Sequence, residues 1–118
     1  MTIRQQQVES ELQRVISTVL QRKLSDPRLA GMISVTEVKV SPDLRQANVF
    51  VSVLPQEHER RAIEALQHAG GHIQRLVRSA VAIRSVPALE FRLDERLKKQ
   101  AAVFSAIREG IEREENQQ

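Results

Sequence analysis

The chain has 118 residues, a formal net charge of +3 and no cysteine. This length favours one domain, and the lack of cysteine excludes disulfides and thiolate metal sites. No apolar run reaches membrane-spanning length, and the first residues lack the pattern of a signal peptide. A cytoplasmic protein with no membrane contact is therefore expected.

The first predicted helix covers about residues 5–24, because apolar residues recur there every three or four positions and form one face. That face consists of Val8, Leu12, Val15, Ile16, Val19 and Leu20. Thr2 and Gln5 have the spacing of a capping box at the start of the helix. The residue before Pro27 is pushed out of the helical region, so the helix is expected to end there.

Two strands are predicted next. Within residues 32–40, Ile33 and Val35 share one parity whereas Val38 and Val40 share the other. This shift indicates a bulge near Thr36-Glu37 or burial of both faces. Residues 41–44 have turn chemistry, and residues 47–54 alternate cleanly. The two strands are expected to pair as an antiparallel hairpin.

Two amphipathic helices and a third strand follow the hairpin. The first of these helices begins near Glu57, and Gly70 and Gly71 separate it from the second. Glycine readily takes positive φ, so the pair predicts a sharp kink or a very short interhelical loop. Pro87 limits the second helix, and residues 89–94 alternate as a strand.

A final helix is predicted after Asp94, which is a candidate cap. Its apolar positions are Leu97, Ala101, Phe104, Ile107 and Ile111. Phe91 and Phe104 are expected to pack, as is Phe50 unless it lies on an open face of the sheet. The acidic end, residues 114–118, is expected to fray.

The glycine pair is also a candidate phosphate site. A helix that starts there presents free backbone N–H groups to an anion, and Arg75 and Arg78 follow. The alternative is an ordinary helical hairpin with a glycine cap. Basic residues concentrate around this segment, which is typical of nucleic-acid binding, although a solvated surface has the same composition. The candidate RNA-binding residues are Gly70, Gly71, Arg75, Arg78, Arg84, Arg92, Arg96, Lys98, Lys99, Arg22, Lys23 and Arg28.

The motifs of catalysis are missing. The glycine pair is not followed by the Lys-Ser or Lys-Thr of a phosphate-binding loop, and no nucleophile elbow occurs. His68 and His72 have the spacing of helical zinc ligands, but the glycines lie between them and break the shared face. No catalytic residue, metal or cofactor is therefore expected.

The predicted order of elements resembles the type II KH fold of RNA-binding proteins. The segments Asp-Pro-Arg-Leu (26–29), Val-Lys-Val-Ser-Pro-Asp-Leu (38–44) leading to 47–52, and Pro-Ala-Leu-Glu-Phe (87–91) with Asp94 resemble the signature segments of the bacterial ribosome-binding factor A family. That family replaces the KH Gly-x-x-Gly loop with an Ala-x-Gly form, which Ala69-Gly70-Gly71 matches. The resemblance spans roughly residues 5–100.

The resemblance implies an α+β fold: a single KH type II-like domain with a three-stranded sheet and an additional C-terminal helix. Residues 1–100 would form the RNA-binding domain and residues 101–118 a C-terminal helical extension. The family is not enzymatic. Its members bind the immature small (30S) ribosomal subunit and its 16S rRNA precursor and promote late maturation and pre-rRNA processing, with particular importance in the cold. A monomer that cooperates with an assembly GTPase is expected.

The chain departs from the KH pattern in one respect, and one alternative function stays open. The departure from Gly-x-x-Gly weighs against the sequence-specific grip on four nucleotides that ordinary KH domains have. The alternative function is a protein-interaction adaptor module without direct RNA binding.

Overall fold

The structure is a computed structural model that describes residues 2–23 and 32–116. Its elements are α1 (Ile3–Lys23), β1 (Met32–Val40), β2 (Gln46–Leu54), α2 (Glu59–His68), α3 (Gly70–Ala80), β3 (Ala88–Leu93) and α4 (Arg96–Asn116). A 3₁₀ turn, Gln56–His58, precedes α2. The predicted α+β fold is confirmed: a KH type II-like domain with an additional C-terminal helix. The predicted helix end before Pro27 and the candidate residue Arg28 lie outside the described residues.

The start of α1 is fixed to the end of β1 by side chains of the helix. The predicted capping box is confirmed, since the Thr2 N–H donates to Oε1 of Gln5 (2.9 Å) and the Gln5 N–H donates to Oγ1 of Thr2 (3.1 Å). Nε2 of the same Gln5 donates to the carbonyl oxygen of Val40 (3.2 Å). One turn later, the Glu9 carboxylate accepts the N–H of Val40 (2.7 Å). Both backbone groups of this last strand residue are therefore satisfied by α1.

The sheet has the order β1-β2-β3, with β2 at its centre. β1 and β2 pair antiparallel as predicted, whereas β3 runs parallel to β2. The predicted bulge is confirmed, because the register shifts between Val35 and Glu37 and leaves Thr36 as the extra residue. The turn between β1 and β2 closes with the Leu44 N–H donating to the carbonyl oxygen of Ser41 (2.9 Å). Leu44 has φ of 61°, in the left-handed region.

Helices α1, α2 and α3 cover one face of the sheet. The predicted apolar faces of these helices are confirmed. Fully or nearly buried side chains from them and from the sheet form the core, among them Leu12, Ile16, Val49, Val51, Leu66, Ile73, Val77 and Phe91. The opposite face of the sheet is open and carries Asn48, Phe50 and Arg92. Asn48 and Phe50 are two residues apart on β2, and Phe50 is paired with Arg92 of β3.

Helix α4 leaves the sheet at Asp94 and is exposed along its described side chains. Asp94 caps it as predicted, since Oδ1 accepts the N–H of Arg96 (3.0 Å). The prediction that Phe104 packs is wrong, because this side chain is 68% exposed. The other large apolar side chains of the same helix, Leu97, Ile107 and Ile111, are also more than half exposed. Periodicity reports a stripe on a helix but not whether another element covers it. Phe91 is buried as predicted, and Phe50 is half-buried on the open face.

Candidate nucleic-acid interface

The junction between α2 and α3 is a single residue. Ala69 has φ of −83° and ψ of 1°, and both glycines lie in the first turn of α3. The predicted very short interhelical connection is confirmed, but neither Gly70 nor Gly71 has φ in the left-handed region that glycine permits. The break between the two helices results from the ψ of Ala69, which departs only moderately from the helical value of about −42°. Alanine adopts this backbone conformation without strain. A Cβ on either glycine would meet no heavy atom within 4 Å. The glycines therefore leave open space outside the helix rather than permit its kink.

The N-terminus of α3 follows the end of α2 after one residue, Ala69. No side chain caps it, and its first turn contains no acidic residue. Arg75 and Arg78 follow on the exposed side, while Ile73 and Val77 are buried on the other. Within the described residues, neither guanidinium has a carboxylate at ion-pair distance. Since positions three apart are neighbours on a helix surface, the two cations lie together. Gly70, Gly71, Arg75 and Arg78 are called the α3 surface below.

Arg92 lies on the other side of the sheet. Phe91 points into the core under the helices, so the next residue along β3 faces the open side. Its guanidinium pairs with Glu90 (3.0 Å) and donates from Nε to Oδ1 of Asn48 (3.2 Å). The structure therefore does not join Arg92 to the α3 surface, and its charge is partly compensated.

The cations at the start of α4 are mostly engaged within the protein. Arg96 pairs with Asp94 (2.6 Å) and with Glu37 (3.1 Å), and Lys98 pairs with Glu59. The Arg96 guanidinium, followed by the hydroxyl of Thr36 (2.6 Å), holds the pKa of Asp94 well below its usual range. Arg96 and Lys98 therefore attach α4 to the sheet and to α2.

Lys99 and Arg22 are exposed, and Lys23 ends α1. Lys99 lines a depression together with Phe50 and Lys39 on the open face of the sheet. Arg22 is at the far end of α1 from the β1–β2 turn. The predicted grouping of Arg22 and Lys23 with Arg28 lies outside the described residues.

Arg84 belongs to a cleft that the sequence did not reveal. The cleft has a volume of about 640 Å³ and lies between the first turns of α1, the β1–β2 turn and the α3–β3 loop. Its lining residues are Arg4, Gln7, Val8, Asp43, Leu44, Arg45, Ile83, Arg84, Ser85 and Val86. We call it the turn cleft. Arg4 and Arg45 are 41 residues apart, so only the contact of α1 with the end of β1 could have indicated that they meet.

Over residues 2–23 and 32–116, no three His, Asp or Glu side chains come together as a metal site. In the same ranges, no helix combines the length and apolarity needed to cross a membrane. His68 ends α2, and His72 lies in the first turn of α3.

Comparison with known proteins identifies similar chains over most of this length. The family model described as ribosome-binding factor A matches residues 4–107. The ribosome-binding factor A of Acetivibrio thermocellus is 39% identical over 105 residues, covering 88% of this chain and 85% of that protein. The Thermomicrobium roseum protein of the same name is 43% identical over 107 residues, covering 90% and 82%.

Solved structures agree with the sequence matches. The crystal structure of ribosome-binding factor A from Thermus thermophilus superimposes with a TM-score of 0.65 and 29% identity, covering 75% of this chain and 94% of that one. A homology model of the Thermus thermophilus protein, fitted into a cryo-EM map of a 30S complex, has a TM-score of 0.63 and 30% identity, covering 75% and 92%.

Proposed function

The chain belongs to the ribosome-binding factor A family, and we propose that it binds the immature small (30S) ribosomal subunit and its 16S rRNA and promotes late maturation and pre-rRNA processing. The Thermus thermophilus relative fitted into a 30S complex supports this choice of partner. The proposed protein is a cytoplasmic monomer that has no enzymatic activity of its own and cooperates with an assembly GTPase. Residues 1–100, which include the first turn of α4, carry the RNA-binding domain, and residues 101–118 form the C-terminal extension.

The observation that carries the proposal is the α3 surface. An uncapped helix N-terminus attracts an anion through its free N–H groups and its dipole. The positions where a Cβ of Gly70 or Gly71 would lie are free of other heavy atoms within 4 Å, and Arg75 and Arg78 are exposed one and two turns further along. A phosphate backbone can therefore approach the helix closely and meet two guanidinium groups.

The contact is expected to read RNA shape more than sequence. The three Phe are the only aromatic residues; Phe91 is buried and Phe104 lies on α4, so Phe50 is the one half-exposed aromatic on the sheet. Readers of unpaired bases stack them on aromatic side chains. Phosphate and ribose contacts from arginines position a protein without reading bases. A preference for the immature particle would then come from an rRNA arrangement present only before maturation is complete.

Charge reversal on α3 tests the proposal. The double variant Arg75→Glu/Arg78→Glu should keep its fold, because both side chains are exposed, and should lose co-sedimentation with free 30S subunits. The matched control is Arg108→Glu/Arg113→Glu on α4, which changes the net charge equally at exposed positions. If both variants sediment with 30S subunits as the parent does, the α3 surface is not the contact. Equal losses in both would indicate an effect of net charge alone.

Salt dependence tests the nature of the contact. Neutralised phosphates release counterions, so 30S affinity should fall by orders of magnitude between about 50 and 200 mM salt. The slope of log affinity against log salt should be shallower in an Arg75→Gln/Arg78→Gln variant. An affinity that stays flat over this range would argue against a phosphate-dominated contact.

One observation favours the adaptor alternative. Leu97, Phe104 and Ile107 share a face of α4 and are each more than half exposed. If this stripe binds a protein partner and RNA binding is absent, Phe104→Asp should abolish the association with cell components whereas Arg75→Glu/Arg78→Glu should not. The opposite result is expected from the proposed function.

A further inference from the structure

We propose that the turn cleft is a second RNA-binding site that receives one unpaired nucleotide, with its phosphate on the arginines and its base on the apolar floor. This inference rests on the proposed function, because it assigns a further contact to the same RNA partner. The cleft shares no lining residue with the α3 surface. It adjoins the loop after α3, whereas Gly70 and Gly71 lie at the other end of that eleven-residue helix, about 15 Å away along its axis.

Charge is the first argument. Arg4, Arg45 and Arg84 line the cleft and are exposed. Within the described residues, no carboxylate lies at ion-pair distance from any of the three guanidinium groups. Three unpaired guanidinium groups around one concavity concentrate a positive potential, and a guanidinium binds phosphate oxygens through two parallel hydrogen bonds.

Asp43, the one acidic residue that lines the cleft, forms its hydrogen bonds within the β1–β2 turn. Oδ1 of Asp43 accepts hydrogen bonds from Oγ of Ser41 (2.6 Å) and from the backbone N–H of Arg45 (3.1 Å). These bonds, the Ser41 hydroxyl first, and to a smaller extent the nearby charge of Arg45 hold the pKa of Asp43 below its usual value. The carboxylate is therefore an ionised structural group that shapes the turn, and the cleft keeps an excess of positive charge.

The walls are held in place by backbone hydrogen bonds and by the side chain of Gln74. The Ala88 N–H donates to the carbonyl oxygen of Arg45 (2.9 Å), which joins the α3–β3 loop to the β1–β2 turn. Gln74 fixes the same loop from α3, since Nε2 donates to the Pro87 carbonyl (2.7 Å) and Oε1 accepts the Leu89 N–H (3.0 Å). A site whose walls are already ordered loses less entropy when it binds a ligand.

The floor suits the apolar part of a nucleotide. Val8, Leu44, Ile83 and Val86 line the cleft and pack partly against the core. Leu44 reaches this position through its left-handed backbone, φ 61°. A volume of about 640 Å³ lies within the range of small-ligand sites. No aromatic residue lines the cleft, so a base would lie on aliphatic side chains and against an arginine plane. An acidic peptide needs no such floor beside the cations, which is why we favour a nucleotide.

The experiment is an NMR titration of the full chain, labelled with nitrogen-15, with adenosine 5′-monophosphate. Amide signals of Leu44, Arg45 and Ser85 should shift and saturate. Adenosine, which lacks the phosphate, and ribose 5-phosphate, which lacks the base, should each bind about tenfold more weakly. The variant Arg45→Gln/Arg84→Gln should lose the shifts, whereas Arg108→Gln/Arg113→Gln should keep them. A circular dichroism melt of each variant verifies that it is folded.

Several results would overturn the inference. Absence of shifts at the cleft, or equal shifts in the Arg45→Gln/Arg84→Gln variant, would remove the site. Equal affinity for inorganic phosphate and for the mononucleotide would leave a simple anion site, and an acidic peptide that displaces the nucleotide at lower concentration would make it a protein site.

The outcome of the mononucleotide titration can be distinguished from the outcome of the 30S sedimentation that tests the proposed function. A chain that sediments with 30S subunits but does not bind the mononucleotide retains the proposed function and loses the cleft. A chain that does not sediment with 30S subunits loses the proposed function whatever the titration shows. If both stand, Arg45→Gln/Arg84→Gln should reduce 30S affinity by about tenfold.

Discussion

The carboxylate of Glu9 in α1 accepts a hydrogen bond of 2.7 Å from the backbone N–H of Val40, the last residue of β1. Removal of this acceptor leaves a partly buried donor unpaired, which costs about 1–3 kcal/mol. We expect Glu9→Ala to lower the free energy of unfolding by that amount in urea denaturation. Glu9→Gln, which keeps an oxygen acceptor, should cost less.

A control for this effect lies on the same helix. Glu11 pairs with Arg14 at 2.7 Å on the surface, and exposed pairs contribute at most about 1 kcal/mol. Glu11→Ala should therefore be nearly neutral. If the two alanine variants unfold at the same urea concentration, Glu9 does not stabilise the end of β1.

Asp94 gives the stability of the protein a pH dependence. Its side chain is 10% exposed and is bonded to Arg96 and Thr36, which hold its pKa below the usual value. The folded state therefore binds this proton less readily than the unfolded state does. The stabilisation is fully present above the unfolded pKa of about 3.9 and is lost as the pH falls below it.

The test is the free energy of unfolding measured from pH 6 down to about pH 3. The parent should lose stability over the acidic part of this range, and Asp94→Asn should start lower and lose less. Glu109→Gln, at an exposed position on α4, should follow the parent. Parallel curves for the parent and Asp94→Asn would show that this carboxylate does not couple folding to protonation.

Substitution of Gly71 by alanine is expected to change the stability of the protein and its 30S binding in opposite directions. It lies in the first turn of α3 without left-handed φ and with open space where a Cβ would be. We expect Gly71→Ala to stabilise the fold by up to about 1 kcal/mol, because alanine loses less backbone entropy on folding. The same methyl group should obstruct a phosphate at the α3 surface and weaken 30S binding.

Gly110 provides the comparison, since it is also helical and open. Gly110→Ala should leave 30S binding unchanged. Thermal melts of the two variants measure the effect on stability, and sedimentation with 30S subunits measures the effect on binding. A Gly71→Ala protein that is less stable than the parent would indicate strain at this position, and one that binds 30S subunits normally would place the phosphate elsewhere.

Helices α1 and α4 each have 21 residues but differ in packing. Leu12 and Ile16 of α1 are fully buried, whereas Phe104 and Ile107 of α4 are more than half exposed. Helices without tertiary packing are marginal in water. Amide hydrogens in the middle of α4 should therefore exchange at least about a hundredfold faster than those in the middle of α1. Equal protection at all protein concentrations would require α4 to be covered by a surface of this chain.

Much of the fold follows from local patterns in the sequence. The capping box of Thr2 and Gln5, the parity shift at Thr36 and the exposed position of Arg78 depend on neighbours within a few residues. Such features are fixed by helix and strand periodicity. The backbone at Gly71 could not be predicted in this way, because glycine permits positive φ without requiring it.

The remaining features depend on tertiary contacts. Phe104 lies on a regular apolar stripe, and only the three-dimensional arrangement shows that nothing described covers it. Arg92 and Arg75 belong to one basic stretch of sequence, but the pleat of β3 and the packing of α3 separate them to different sides of the sheet. Arg4 meets Arg45 in the turn cleft because α1 is fixed to the end of β1.

The bulge at Thr36 has a consequence for contacts between molecules. β1 lies at the edge of the sheet, and an edge strand offers unpaired N–H and C=O groups to a strand from another chain. The bulge interrupts the regular spacing of these groups at the middle of β1, and Gln5 and Glu9 occupy those of Val40 at its end. An incoming strand would find only short uninterrupted stretches on either side of Thr36. The edge is thereby protected against the sheet-to-sheet addition that leads to aggregation.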